Sequence, residues 1–356
     1  MTNIEKIIVS HSSNIRDAIK KMDEIGKGIV VVTDNKSEVI GIITDGDFRR
    51  AILKGVNLKE SVLSIVNNNY ISATVNESAL EIEAIYKNNA GLKQLPILDN
   101  RKLVKLITHE ELFLADTVEM VRNSLENPVI IMAGGKGTRL EPFTNILPKP
   151  LIPIGQKTIL EHIITEFRKH SIPKFYISVN YKANMLKAYM ADLEKDYTVD
   201  YIYENKPLGT IGALKSVEGE FTTSIFVTNS DIIIKDDYSN ILEFHKKGGF
   251  KLTLVASMQH YKIPYGVCEI NEGGELKKIE EKPEYDFLVN TGMYILEPDV
   301  LKYIPEDTFF NITDLMEVLK LNNHRIGVYP VSEKSWIDIG QWDEYKKTLK
   351  RLDVGI

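Results

Sequence analysis

The stretch MAGGKGTRLEPFTNILPKPLIPIG, residues 132–155, completes the apolar run VIIMA (129–133). A short, β-branched apolar run that stops at glycines predicts a buried strand ending in a tight turn. In GGKGTRL (134–140) the glycines allow backbone N–H groups to approach a phosphate, and they tolerate the φ angles such a loop needs. The loop lacks the third glycine of the dinucleotide fingerprint, and no Gly-Lys-Ser/Thr closes it as a Walker loop would. On its own it is also compatible with a plain strand-to-helix turn.

Working outward, FYISVN (175–180), SIFVTNSD (224–231) and KLTLVASM (251–258) read as strands, with helical stretches such as TILEHIITEFRKH (158–170) among them. That alternation predicts an α/β fold over 128–356: a three-layer, Rossmann-like sandwich with a mixed, mainly parallel sheet. Upstream, one pattern occurs twice. Ile15, Ala18, Ile19, Met22 and Ile25 fall at helical spacing, GIVVVTD (28–34) and VIGIIT (39–44) read as strands, and DGDFRRAIL (45–53) opens another helix. Ala79, Ile82, Ile85 and Tyr86 then give a helix face, followed by LPILD (95–99), LVKLIT (103–108) and HEELF. Thr44 and Thr108 end equivalent strands, so the repeat is 64 residues long. Neither unit buries a face alone, which predicts a packed tandem α+β pair over 1–58 and 59–118, followed by a helical linker at 119–127 that leads into the 128–356 domain.

With 356 residues, 43% apolar and 26% charged, the chain can form several cores, which excludes disordered, collagenous and fibrous classes. The net charge of -6 comes from mixed signs without a basic stripe, so no nucleic-acid partner is expected. Cys268 is the single cysteine, and the seven histidines have no metal-ligand spacing. MTNIEKIIVS has no apolar signal core, and no run approaches the ~18 apolar residues of a membrane span. A soluble cytoplasmic protein without a membrane partner is expected. No hexapeptide repeats follow Trp342, so no left-handed β-helix domain is expected.

Read with its continuation, the 132–155 segment resembles the signature of sugar-1-phosphate nucleotidylyltransferases: a glycine-rich loop ending in Gly-x-Arg-Leu, then Pro, then Pro-Lys-Pro. The resemblance extends over 128–356. It implies that Ala133, Gly134, Gly135, Gly137 and Thr138 bind the nucleotide, and that Arg139 and Lys149 are the catalytic cations. Negative charge building at phosphorus needs such fixed positive groups in a dry cleft. Lys136 reads as a solvated loop residue. PLGTIGAL (207–214) resembles the segment that reads the base, with Gly209, Thr210 and Gly212 at its contact positions.

VTNSD (227–231) and SWIDIGQWDEY (335–345) resemble the strands that carry the magnesium carboxylates, which implies Asp231 and Asp338 as metal ligands and Mg2+ as cofactor. Magnesium takes few oxygens from the protein and the rest from phosphate and water. EEKP (280–283) implies Glu281 at sugar hydroxyls and Lys282 at the sugar phosphate, and VNTGMYIL (289–296) implies Asn290 and Gly292 at the sugar. Taken singly, the two aspartates read as caps, Gly292 as a strand bend, Lys282 as a surface lysine and Trp336 as core. Tyr261, Tyr265 and Gly266 fit either a sugar contact or a loop.

The repeat containing GIITDGDFRR (41–50) resembles a CBS domain, so 1–118 resembles a CBS pair. That implies an adenine nucleotide whose ribose is held by Thr44 and Asp47. The alternative is that both residues only cap the following helix. In the second repeat the matching positions are Thr108 and Glu111, a departure from the pattern.

These resemblances imply that a sugar-1-phosphate oxygen attacks the α-phosphorus of a nucleoside triphosphate, with loss of pyrophosphate. PLGTIGAL with WIDIG is most similar to the guanylyltransferases for mannose 1-phosphate and heptose 1-phosphate, so GTP and a sugar 1-phosphate are the expected partners. A CBS pair ahead of this domain resembles the glucosamine-1-phosphate guanylyltransferases of bacterial legionaminic acid biosynthesis, which make GDP-glucosamine. A mannose-1-phosphate guanylyltransferase, a uridylyltransferase for a hexose 1-phosphate, and a catalytically dead nucleotide-sensing regulator stay open as alternatives. A homo-oligomer is expected.

Overall fold

The computed structural model describes residues 4–89, 91–113 and 124–351. The chain divides into two compact units, Met1–Met120 and Val121–Ile356.

The first unit is built on two three-stranded sheets of the same topology. In one, Ile8–Ser10 lies parallel to Ile29–Thr33, which pairs antiparallel with Val39–Thr44. In the other, Ala73–Thr74 is parallel to Gln94–Asp99, which is antiparallel to Lys102–Thr108. The duplicated pattern read from sequence is thus a duplicated α+β unit, with Thr44 and Thr108 at matching strand ends. The helix Ile15–Ile25 buries Ile15, Ala18, Ile19 and Met22, four of the five positions at helical spacing. Asn14 starts it by accepting the Asp17 N–H, and Gly26 ends it at φ 67°, where a residue with a Cβ is strained.

The second unit has a seven-stranded sheet in the order Thr198–Tyr203, Lys174–Val179, Val129–Met132, Ile225–Asn229, Glu284–Leu296, Leu252–Lys262, Ile326–Val331. Only Glu284–Leu296 runs antiparallel to its neighbours. Alternate residues of Val129–Met132 point to opposite faces: Val129 and Ile131 join one core, Ile130 the other. The first core is covered by helices Ile159–Arg168, Ala183–Asp192 and Tyr238–Gly248, the second by Ile312–Leu321 and two 3-10 segments. This is the expected three-layer sandwich with a mainly parallel mixed sheet.

Of the expected helical linker, residues 119–123 lie outside the described residues, and 124–127 are not helical. They are held to the second unit instead. Leu125 is buried and its N–H donates to His170 O (2.9 Å), while Asn127 Nδ2 donates to Ser224 O (2.7 Å). No helix among the described residues is long and apolar enough to cross a membrane.

Candidate active site

The strand Val129–Met132 delivers the glycine loop to one end of the sheet, where the parallel strands stop. At such an end, ligands of open α/β sheets find backbone donors. A Cβ at Gly134 would lie 2.4 Å from Glu204 Oε1 and would displace that side chain, and Gly137, at φ 69°, is glycine because a Cβ would also lie 2.9 Å from Lys149 Cβ. Gly135 has nothing within 4 Å of its missing Cβ and is exposed. The peptide N–H groups of residues 134–138 donate to no described residue, which leaves them for an anion. Ala133 differs. It is buried and its N–H donates to Ser178 O (3.2 Å) and Oγ (3.1 Å), so it anchors the start of the loop.

Asp231 sits in the turn after Ile225–Asn229, and the next strand, Ile232–Ile234, pairs antiparallel with Trp336–Asp338, placing Ile232 opposite Asp338. That small two-stranded sheet brings together two aspartates more than a hundred residues apart. Ile339 N–H donates to Asp231 O (2.8 Å), and Gly340 N–H donates to Asp338 Oδ1 (2.7 Å). Lys149 Nζ donates to Asp231 Oδ2 at 2.5 Å, with both side chains largely buried. A Cβ at Gly340 would lie 2.9 Å from Asp338 Oδ1, 3.0 Å from Asp231 Oδ2 and 3.4 Å from Lys149 Nζ. Three charged groups therefore converge on the space beside Gly340. Burial raises the pKa of the Asp338 carboxyl; the Gly340 N–H opposes this, and the neighbouring Asp231 charge adds to it.

A cleft of about 400 Å³ opens beside this cluster, lined by Arg139, Thr210, Asp231, Asn290, Gly292 and Asp338 among the expected residues. Gly292 lies at a β-bulge, where the pairing of Leu252–Lys262 with Glu284–Leu296 shifts between Leu254 and Ala256. Its φ is 91°, and a Cβ would meet Asn229 Nδ2 at 2.5 Å. The bulge presents Asn290 to the cleft, where its amide bonds the Tyr294 hydroxyl and accepts the Gly292 N–H (2.9 Å). Thr210 Oγ1 accepts the Ile312 N–H (2.9 Å), tying the 207–214 segment to the start of helix Ile312–Leu321.

Several expected residues stand elsewhere. Gly209 and Gly212 make close approaches, but to protein: a Cβ on Gly209 would lie 2.5 Å from Phe310 O, and one on Gly212 2.8 Å from Thr308 O. Their glycine identity is thus set by packing against residues 308–310. Glu281 and Lys282 are exposed at the foot of the hairpin Val267–Ile270 and Leu276–Glu280, outside the lining of the cleft. Lys282 has φ 47°, and its N–H donates to Tyr265 O (3.3 Å). Tyr265 is 75% exposed. In the first unit, Asp47 Oδ2 accepts both the Thr44 N–H (2.8 Å) and its hydroxyl (2.6 Å), and Oδ1 accepts from Arg50, so the pair caps its helix. Glu111 pairs with Lys27 at 2.9 Å.

Sequence reasoning missed others. Trp336 is not simply core: it lines the cleft, as do Asn229, Asn311 and Thr313. Gly340 lay inside the quoted motif without a role. Glu204 gave no signal, being one glutamate in a polar stretch. It is 9% exposed, lies against Gly134, and accepts the Leu208 N–H (3.4 Å). Burial raises its pKa.

A family model described as nucleotidyl transferase matches residues 128–353, and one described as CBS domain matches residues 1–54. The chain belongs to the nucleotidyl transferase family. A UTP–glucose-1-phosphate uridylyltransferase of Synechocystis is 29% identical over 242 residues, 62% of each chain. A mannose-1-phosphate guanyltransferase of Aspergillus fumigatus is 36% identical over 185 residues, 49% of this chain and 50% of that one. The chain thus matches between about half and three-fifths of the length of these relatives. The crystal structure of HddC from Yersinia pseudotuberculosis complexed with GMP-PN is similar at 26% identity and a TM-score of 0.49, over 64% of this chain and all of that one.

The donor set of the nucleotidyl transferase domain fits magnesium. Asp231 and Asp338 supply two hard oxygens beside an open cleft, and among the described residues no cluster of three or more Asp, Glu, His or Cys offers a closed site. The remaining positions would fall to phosphate and water.

Proposed function

We propose that this chain transfers GMP from GTP to a sugar 1-phosphate, glucosamine 1-phosphate in the first instance, giving GDP-glucosamine and pyrophosphate for legionaminic acid or a related surface sugar. One observation carries the reading: Arg139, Asp231 and Asp338 line a single cleft, with Lys149 bonded to Asp231. A sugar-phosphate oxygen forms the new bond to the α-phosphorus, and the α–β anhydride bond breaks, its electrons leaving with pyrophosphate. The attacking phosphate is already an anion near neutral pH, so the protein needs no nucleophile of its own. Magnesium, held by Asp231 and Asp338, would supply Lewis-acid stabilisation of phosphate charge. Arg139 and Lys149 offset negative charge as it builds at phosphorus, and the free N–H groups of 134–138 orient the triphosphate.

The choice of guanine rests on Glu204. Its carboxylate lies against the glycine loop and next to the 207–214 segment, and it can accept both the N1–H and the 2-amino group of guanine. Asn290 and Gly292, which line the cleft, are assigned to the sugar phosphate, and the resemblance adds Glu281 and Lys282, which stand outside its lining. The relatives that act on mannose 1-phosphate with GTP and on glucose 1-phosphate with UTP favour two further readings, which differ in sugar and base but not in mechanism. In the first unit, an adenine nucleotide at Thr44 and Asp47 stands as a regulatory ligand.

The test is pyrophosphate release from a panel of GTP, UTP, CTP, ATP and dTTP with glucosamine, mannose and glucose 1-phosphates. GTP with glucosamine 1-phosphate should lead. Faster turnover with UTP would select the uridylyltransferase reading, and no turnover with any pair would select the dead regulator.

A further inference from the structure

Between Arg139 and Lys149 the chain has no strand, and its helices are single 3-10 turns such as Phe143–Asn145. Its internal backbone hydrogen bonds, such as Asn145 N–H to Pro142 O (3.1 Å) and Ile146 N–H to Phe143 O (3.0 Å), close only single turns, so contacts from outside are needed to hold two cations in register. One set comes from residues next to the helix Ala183–Asp192: Tyr181 OH donates to Thr144 O (3.1 Å), and Lys182 Nζ donates to Asn145 O (2.7 Å) and Ile146 O (2.6 Å). The other comes from the helix Trp342–Arg351. Trp342 Nε1–H donates to Glu141 O (2.7 Å), and its ring lies 4.9 Å from Phe143. Tyr345 closes the cluster, 5.9 Å from Trp342, and its hydroxyl donates to Pro153 O (2.8 Å). Helix Trp342–Arg351 therefore grips the chain at Glu141, within the segment, and at Pro153, just beyond it, on either side of Lys149.

Only Gln341 separates Trp342 from Gly340, whose N–H holds Asp338. One short stretch of chain thus touches both the carboxylate pair and the segment bearing the cations. We propose that Trp342 is a positioning residue: it fixes the segment from Arg139 to Lys149 against Asp231 and Asp338. Tryptophan suits the task because it combines a large ring with a lone N–H donor. The consequence for turnover rests on the transferase reading above; the mechanical claim does not. Misplacement of about 1 Å in a site of this kind is enough to slow chemistry substantially.

The test compares the full chain with Trp342→Phe, which keeps the ring contact and loses the donor, and with Tyr303→Phe, which loses one hydrogen bond to His324 away from the cleft. Amide exchange of the 139–149 peptide should quicken in Trp342→Phe and stay unchanged in Tyr303→Phe. Pyrophosphate release should fall roughly three- to ten-fold in kcat, the effect of about one net hydrogen bond, with the KM for GTP within about two-fold. The stoichiometry of GTP binding by calorimetry should be unchanged, which separates misplacement from partial unfolding. Unchanged exchange in the segment, or faster exchange with an unaltered kcat, overturns the proposal. If the wild type turns over no substrate pair, the transferase reading fails, while the exchange data still decide whether Trp342 holds the segment.

Discussion

Two half-buried carboxylates, Asp231 in a turn and Asp338 at a strand end, repel each other, and Lys149 at 2.5 Å from Asp231 offsets that repulsion. The arrangement is poised for a divalent cation, which offsets it more fully. Asp231→Asn and Asp338→Asn should therefore keep the fold and lower turnover by roughly 10²-fold or more, the scale of one electrostatic contact in a transition state. Circular dichroism and steady-state pyrophosphate release check this, and near-normal rates in both variants would remove the metal assignment. At Glu204 the expected effect is on selectivity. Glu204→Gln keeps the shape but lets the side chain accept only one of guanine's two donors. The ratio of kcat/KM for GTP over ATP should fall by about ten-fold or more, the cost of one unpaired buried polar group. An unaltered ratio would place base reading elsewhere.

Among the elements, the glycines divide into two kinds that sequence could not tell apart. Gly209 combines φ 82° with a backbone carbonyl 2.5 Å from its missing Cβ, so its demand is structural. Gly135 has open space and no positive φ restriction, so any demand on it comes from a ligand. Gly209→Ala should lower stability by about 1–3 kcal/mol in denaturant unfolding, whereas Gly135→Ala should leave stability within about 0.5 kcal/mol and weaken GTP binding. Equal stability losses would refute the division.

Strand and helix identities were legible because apolar periodicity and glycine stops are local: Val129–Met132, Ile225–Asn229 and Ile159–Arg168 emerge within a residue or two of their sequence reading. The convergence of Arg139, Asp231, Asn290 and Asp338 was legible only through resemblance, since nothing local in Asp231 points to Asp338. Glu204, Trp336 and Trp342 stayed hidden because their roles arise from neighbours distant in sequence. The linker was misread at 124–127, where docking of Leu125 outweighs a weak helical pattern.

At the scale of the whole molecule, a CBS-bearing unit and a transferase unit share one chain, and regulation is the natural question. Asp47 is occupied by Thr44 and Arg50, so nucleotide binding there competes with a helix cap. The expected outcome is that AMP binds the full chain by calorimetry, that Asp47→Ala abolishes this binding, and that AMP changes the transferase rate several-fold, as couplings of about 1–3 kcal/mol do. Identical isotherms for wild type and Asp47→Ala would leave the pair as a packing or dimerising module.

The transfer itself is followed most directly with GTP labelled at the α-phosphorus, incubated with glucosamine 1-phosphate and magnesium. Label should pass into a nucleotide-sugar with equimolar pyrophosphate, and only when the sugar phosphate is present. Label recovered as free GMP or GDP, or no transfer to any sugar 1-phosphate, would contradict the assignment.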